Sequence, residues 1–146
     1  MKKKEENLLK LGNQACFPIY ALSREIINRY RDALDEIGLT YPQYLVLLIL
    51  WEEGEQTVNQ LGAKLHLDSG TLTPLLKRLE QKHILTRTRS LKDERVVLIA
   101  LTEEGQKLRE NACAVPGKLL EALQINAEDL AELKRISEKI LSNKNK

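Results

Sequence analysis

At 146 residues, 42% of them hydrophobic and 30% charged, the chain is long enough to bury one core without help from disulfides or metals. Its longest apolar run, residues 45–51, is far short of the roughly 20 residues a membrane helix needs, and the opening MKKKEENLLK carries neither the apolar stretch nor the cleavage site of a signal peptide. The net charge of +2 is small, yet eight Lys and Arg against four acids crowd into residues 57–95, the footprint of a phosphate-contacting segment, although charge alone would favour a merely solvated face.

These features predict a cytoplasmic protein with no membrane contact, whose two cysteines are made as thiols. Residues 8–37 read as one long helix ended by Gly38, with Leu8, Leu11, Ala15, Tyr20, Ile27, Tyr30, Leu34 and Ile37 along it. Pro18 falls inside this stretch and predicts a late start or a kink. Thr40 opens a second helix with Pro42 in its first turn, and the run YLVLLILW, apolar nearly all round, predicts burial. Thr57 then caps a short helix, VNQLGAKL; His66 and Leu67 make a tight turn; Asp68 or Ser69 caps a further helix, GTLTPLLKRLEQK. Two short helices joined by a turn of about three residues are a helix-turn-helix. ILTRTRS and RVVLIAL read as strands around the charged tip LKDE, which makes a wing.

Thr102 caps the next helix, with acids in its first turn where the helix dipole favours them. A kink or break is expected at Pro116-Gly117, and Asn126 caps a last amphipathic helix, AEDLAELKRISEKIL. The fold class is therefore mainly α, an α+β winged helix, in one domain over residues 1–146. Residues 40–101 would form its winged helix-turn-helix part. The helices over residues 7–38 and 102–142 exceed what a winged helix requires and are expected to pack against their copies in a homodimer. Two-fold symmetry suits a pseudo-palindromic stretch of double-stranded DNA.

In such an arrangement the second helix of the pair enters the major groove by its N-terminal half. Ser69, Thr71 and Thr73 present hydroxyls there, within reach of phosphates or base edges, although capping and plain solvent exposure would also account for them. Leu72, Leu75, Leu76 and Leu79 supply the buried stripe. Lys77 and Arg78 stand farther along, and a guanidinium can fork onto a guanine or clamp a phosphate. Arg87, Arg89, Lys92 and Arg95 on the wing would follow the DNA backbone, with an arginine at the tip suited to the narrow minor groove of A·T-rich flanks. Asp93 either holds Arg95 in place or simply forms the turn.

The wing sequence KDERVVLIALTEEG resembles the D-x-R…L-T-x-x-G signature of the MarR family of winged-helix regulators, matched by Asp93, Arg95, Leu101, Thr102 and Gly105. NQACFPIYALSRE, GLTYPQYLVLLILWE and LDSGTLTPLLKRLEQ are similar to the organic-hydroperoxide-resistance regulators, the OhrR branch of that family, in ungapped blocks covering nearly the whole chain. The resemblance implies a homodimeric repressor that leaves operator DNA when an organic hydroperoxide oxidises a cysteine near the start of the first helix, here Cys16. It implies tyrosine hydroxyls from the partner subunit around that sulfur, at Tyr20, Tyr30 and Tyr41. Some members use a second cysteine for an intersubunit disulfide; Cys113 lies in the right region but about two turns before the usual resolving position. A low-molecular-weight thiol is the other partner left open, and no cofactor or metal is expected, since the cysteines and histidines are scattered.

The chemistry asks for such a setting. Only a thiolate attacks the peroxide O–O bond, and phenol hydrogen bonds together with an early helical position favour the anion. Phe17, Ile19 and Leu22 would form an apolar rim selecting alkyl or lipid hydroperoxides. Oxidation gives a sulfenic acid, which condenses with a thiol or a backbone nitrogen. An arbitrary cytosolic cysteine, by contrast, is more often a small buried hydrophobe. Two other functions stay open: a repressor released by a small phenolic or aromatic ligand, for which Cys16 is incidental, and a thiol peroxidase. Against the peroxidase stand the lack of a C-x-x-C pair and the positions of His66, a turn residue, and His83, a helix C-terminal cation, away from either thiol.

Overall fold

Two short pieces, the helix α1 (Lys2–Leu8) and a 3-10 turn over Leu11–Asn13, precede the first long helix, α2 (Cys16–Asp35). The single helix expected from residue 8 is thus too long at its start. Proline has no N–H to give and is best tolerated in a helix's first turn, and α2 begins just ahead of Pro18. Side-chain amides take over the preceding carbonyls: Asn13 Nδ2 donates to the Asn7 carbonyl at 2.7 Å and Gln14 Nε2 to that of Leu8 at 2.5 Å. The computed structural model describes residues 2–143, which divide into two units, Arg31–Val115 and the terminal residues 2–30 with 116–143.

Short polar side chains start the helices of the Arg31–Val115 unit. Thr40 opens α3 (Tyr41–Glu53) and Thr57 opens α4 (Val58–Leu65), each in a reciprocal capping box with Gln43 or Gln60. His66, with φ 55°, turns the chain after α4, and the turn needs Gly62, where a Cβ would meet the Leu67 carbonyl at 2.6 Å. Asp68 opens α5 (Ser69–Gln81) and Thr102 opens α6 (Glu103–Ala112). Between them run β2 (Leu85–Arg89) and β3 (Val97–Leu101), antiparallel. The sheet has a third strand beyond the expected two: β1 (Gln56–Thr57) pairs with the far edge of β3, giving the order β1-β3-β2. A two-residue strand has no alternation to detect, which is why the sequence hides it.

The core of this unit comprises Val46, Leu47 and Leu50 of α3, Leu61 of α4, Leu72, Leu76 and Leu79 of α5, and Leu85 and Ile99 of the sheet, all essentially without solvent contact. The apolar α3 is not buried all round: Leu48 is exposed and Leu45 and Ile49 are half-buried. The T-x-x-G part of the wing signature has a structural explanation. Thr102 Oγ1 donates to the His83 carbonyl at 2.6 Å and accepts from the Gly105 N–H at 3.1 Å, while a Cβ on Gly105 would stand 2.1 Å from the Ile84 carbonyl oxygen. Trp51 Nε1 donates to the Gly105 carbonyl at 2.9 Å, tying α3 to the same point.

The terminal unit is built from α1, α2 to Tyr30, α7 (Val115–Leu123) from Pro116 onward, and α8 (Ala127–Ser142), capped by Asn126. The break expected at Pro116-Gly117 comes earlier, after Cys113, because proline is accommodated as the second residue of a new helix rather than at the end of an old one. Arg29 Nη1 donates to the Ala122 carbonyl at 2.9 Å, linking α2 and α7. Among the described residues no helix is long and apolar enough to cross a membrane.

Candidate nucleic-acid interface and thiol site

α5 presents its polar side chains along two edges. Ser69, Thr73 and Lys77, four residues apart, line one edge, and Thr71 and Arg78, seven apart, the other; Leu72, Leu75, Leu76 and Leu79 face the core. Asp68, not Ser69, is the cap, accepting from the Thr71 N–H at 2.7 Å. That N–H and then the Thr71 hydroxyl hold the Asp68 carboxyl below the usual carboxylate range. Thr71 therefore has a capping role of its own, while Ser69, Lys77 and Arg78 are exposed on the open side of the helix.

The wing is braced by its own polar groups. The Ser90 N–H donates to the Val96 carbonyl at 2.8 Å and the Lys92 N–H to Ser90 Oγ at 3.2 Å. Arg89 Nη1 donates to the Glu94 carbonyl at 2.8 Å, so this arginine stiffens the loop. Asp93 forks onto Arg95, accepting from its N–H at 3.0 Å, Nε at 3.1 Å and Nη2 at 3.3 Å. The Arg95 side chain nevertheless remains 90% exposed, projecting from the hairpin.

Arg87 differs from the other wing cations. In the sheet register it pairs with Ile99, and along β2 it shares a face with Leu85, so it points inward and is only 21% exposed. Arg87 thus stands on the core side of the sheet, unlike Arg95, whose side chain projects into solvent. Beside it lies a groove of about 240 Å³ that brings together Ser69, Thr73, Arg87 and Arg95 with Thr57, Val58 and Asn59 at the start of α4. Thr57 and Asn59 are not among the candidates named from the sequence, where Thr57 enters only as the N-cap of α4.

Cys16 is the first residue of α2, an exposed free thiol. Tyr20 follows one turn later, with the Arg24 guanidinium 5.7 Å from its ring centroid, and Phe17 and Ile19 lie exposed around them. Tyr30 is half-buried farther along the same helix. Tyr41 belongs to the other unit, its ring 6.4 Å from that of Tyr44, which is buried and escaped notice within the apolar run. Burial pushes both phenols up; Tyr44 is raised further by the neighbouring charges of Tyr41 and Cys113. Cys113, an exposed free thiol at the end of α6, donates to the Arg109 carbonyl at 3.3 Å.

A helix-turn-helix followed by a braced hairpin with a projecting arginine defines a winged-helix protein. The family model of the transcriptional regulator SarA/Rot matches residues 28–112. Over 126 residues the chain is 53% identical to the organic hydroperoxide resistance transcriptional regulator of Bacillus subtilis, covering 86% of each. It is also similar to the structure of reduced AbfR bound to DNA, with 38% identity, a TM-score of 0.77 and 100% of both chains covered; AbfR is a protein of Staphylococcus epidermidis. The disulfide-formed AbfR gives a TM-score of 0.62 at 38% identity, over 97% of this chain and 99% of that one. The chain belongs to the MarR-type winged-helix transcriptional regulators, in the group that holds the organic hydroperoxide resistance regulator.

Proposed function

We propose that the chain is a homodimeric repressor that releases a pseudo-palindromic operator when an organic hydroperoxide oxidises Cys16. The observation that carries this reading is a free, exposed thiol at the first position of α2, in the unit whose apolar side chains have almost no core of their own. The Bacillus subtilis relative is named for organic hydroperoxide resistance, and AbfR is described both reduced on DNA and with a disulfide formed. In the first step the Cys16 thiolate attacks one peroxide oxygen, the O–O bond breaks, and the alkoxide leaves to take up a proton as the alcohol. A second thiol, from a low-molecular-weight compound or Cys113, then displaces water from the sulfenic acid to give a disulfide.

On the DNA side Ser69, Thr71, Thr73, Lys77 and Arg78 of α5 meet the major groove, while Arg95, aimed by Asp93, enters an A·T-rich minor groove. Modified Cys16 disturbs the packing of the terminal helices and with it the spacing of the two recognition helices. A full reversal from 99:1 to 1:99 requires a bias of about 5.5 kcal/mol. The test is a DNA-binding titration of reduced protein before and after one equivalent of cumene hydroperoxide. Wild type should lose affinity, whereas Cys16→Ser should bind normally and ignore the oxidant. A serine variant still released by peroxide would exclude Cys16 as the sensor, and one released by a phenolic compound instead would favour ligand control.

A further inference from the structure

The cation least expected from its surroundings is Arg87. Its position in β2 alternates with Thr86 and Thr88 and lies opposite Ile99, a place an aliphatic side chain would normally fill. A guanidinium there is held away from water, which is unfavourable unless it is well paired. It is poorly paired: Nη1 stands 3.7 Å from Glu80 Oε1, and Nε is buried with no acceptor among the described residues. The other Glu80 oxygen is already engaged by the Arg87 backbone N–H at 3.0 Å. The groove in front of it is lined by Ser69, Thr73, Asn59 and Arg95 among others, and none of its lining residues is acidic.

We infer that this groove seats one phosphodiester of the DNA backbone, with Arg87 turning from Glu80 to fork onto its two free oxygens. The inference rests on the DNA-binding reading above and deepens it. A phosphodiester is a monoanion with two equivalent oxygens, the shape that a planar guanidinium matches in two parallel hydrogen bonds. The position is also right: the groove lies between the start of α5 and the base of the wing, and a strand touched by both in neighbouring grooves must carry its backbone between them. On binding, the orphaned Nε–H gains an acceptor, so part of the unfavourable free energy of its burial is relieved in the complex. Arg87 thereby fixes the angle between recognition helix and wing without reading sequence, since phosphate contacts position and base contacts specify.

The test is the salt dependence of binding by the full chain to two fluorescent duplexes, one A·T-rich and one of mixed sequence. R87Q should weaken both by the same factor, roughly tenfold, and flatten the slope of log Kd against log salt by about 0.9 per subunit. R87K should keep the wild-type slope yet bind both duplexes more weakly, because an ammonium cannot fork. N59A should lose a few-fold on both without changing the slope, and E80Q should bind at least as tightly as wild type. An R87Q protein with wild-type slope and affinity, or one whose loss is confined to one duplex, overturns the phosphate seat. So does an E80Q protein as weak as R87Q, which would make the ion pair itself the purpose of Arg87. If R87Q does not fold, R87K decides: wild-type affinity, or a loss on one duplex only, sinks the proposal. A wild type that binds neither duplex would instead sink the DNA reading, and the seat with it.

Discussion

In the Arg31–Val115 unit, Leu47, Leu61, Leu72, Leu76, Leu79 and Ile99 have no solvent contact at all; in the terminal unit Leu119, at 7%, is the sole buried hydrophobe among the described residues. Phe17, Ile19, Tyr20, Ile27, Ile136 and Ile140 all stay exposed there. Helices dominate both units, and helices of this length draw most of their stability from packing an apolar face. The winged-helix part therefore carries its own core within one chain. The apolar pattern of the terminal helices would be completed by a second copy, as in the proposed homodimer. A sensor thiol at the edge of the second kind of structure is well placed, because a marginal core is easily biased by one modified side chain.

The largest effect is expected where the self-sufficient unit is packed most tightly. Gly105→Ala places a Cβ 2.1 Å from a backbone oxygen that cannot move without shifting the start of β2. A loss of about 3 kcal/mol or more is expected in urea unfolding. A variant within experimental error of wild type would show that the α6 contact is looser than it looks. Next in size is the terminal unit. Ile136→Asp and Ile140→Asp, both at exposed positions of α8, should each weaken self-association by roughly 2 kcal/mol by burying a carboxylate in the interface. Sedimentation should then find monomer where wild type is dimeric, and the rise of Tm with protein concentration should vanish. Unchanged association would mean that α8 lies outside the interface.

A smaller effect separates the two roles of the wing signature. Thr102→Ala removes the cap of α6 and the bond to the His83 carbonyl, and should cost about 1–2 kcal/mol in thermal unfolding with little change in DNA affinity. A large loss of DNA binding at unchanged stability would move Thr102 from the scaffold to the interface.

The sequence was most legible where short polar residues punctuate it. Thr40, Thr57, Thr102 and Asn126 all cap the helices read from them, because a side-chain oxygen that satisfies free N–H groups is a local signal. The buried stripe of α5 was equally plain from its spacing. What stayed hidden depends on partners distant in sequence. β1 exists only through its pairing with β3, and the inward turn of Arg87 follows from a register that places it opposite Ile99. Tyr44 disappeared into an apolar run although its hydroxyl neighbours Tyr41 and Cys113 electrostatically. The tyrosines named around Cys16 came from resemblance alone: Tyr20 and Tyr30 lie on α2 with it, and Tyr41 opens α3 in the other unit.

The smallest effect on stability and the finest test of the interface meet at Asp93. Its carboxyl is held below the ordinary value of 3.8 by the Arg95 guanidinium first and the Arg95 N–H second. A lowered folded-state value means the charged form is favoured by folding. The contribution is therefore complete above 3.8 and is lost only as pH falls through the lowered value. Near neutral pH the clasp is closed and should not titrate. Because Arg95 is 90% exposed, solvent screening leaves such a pair little influence on stability, so Asp93→Asn should melt like wild type. Its consequence lies in where Arg95 points. Without the carboxylate the guanidinium must lose more side-chain freedom to enter a minor groove, so Asp93→Asn should weaken binding to an A·T-rich duplex, by less than Arg95→Ala does. The direct measurement is an NMR titration of the Asp93 carboxyl carbon. A midpoint at or above 3.8 would show the clasp open in solution, leaving Arg95 to find the groove unaided.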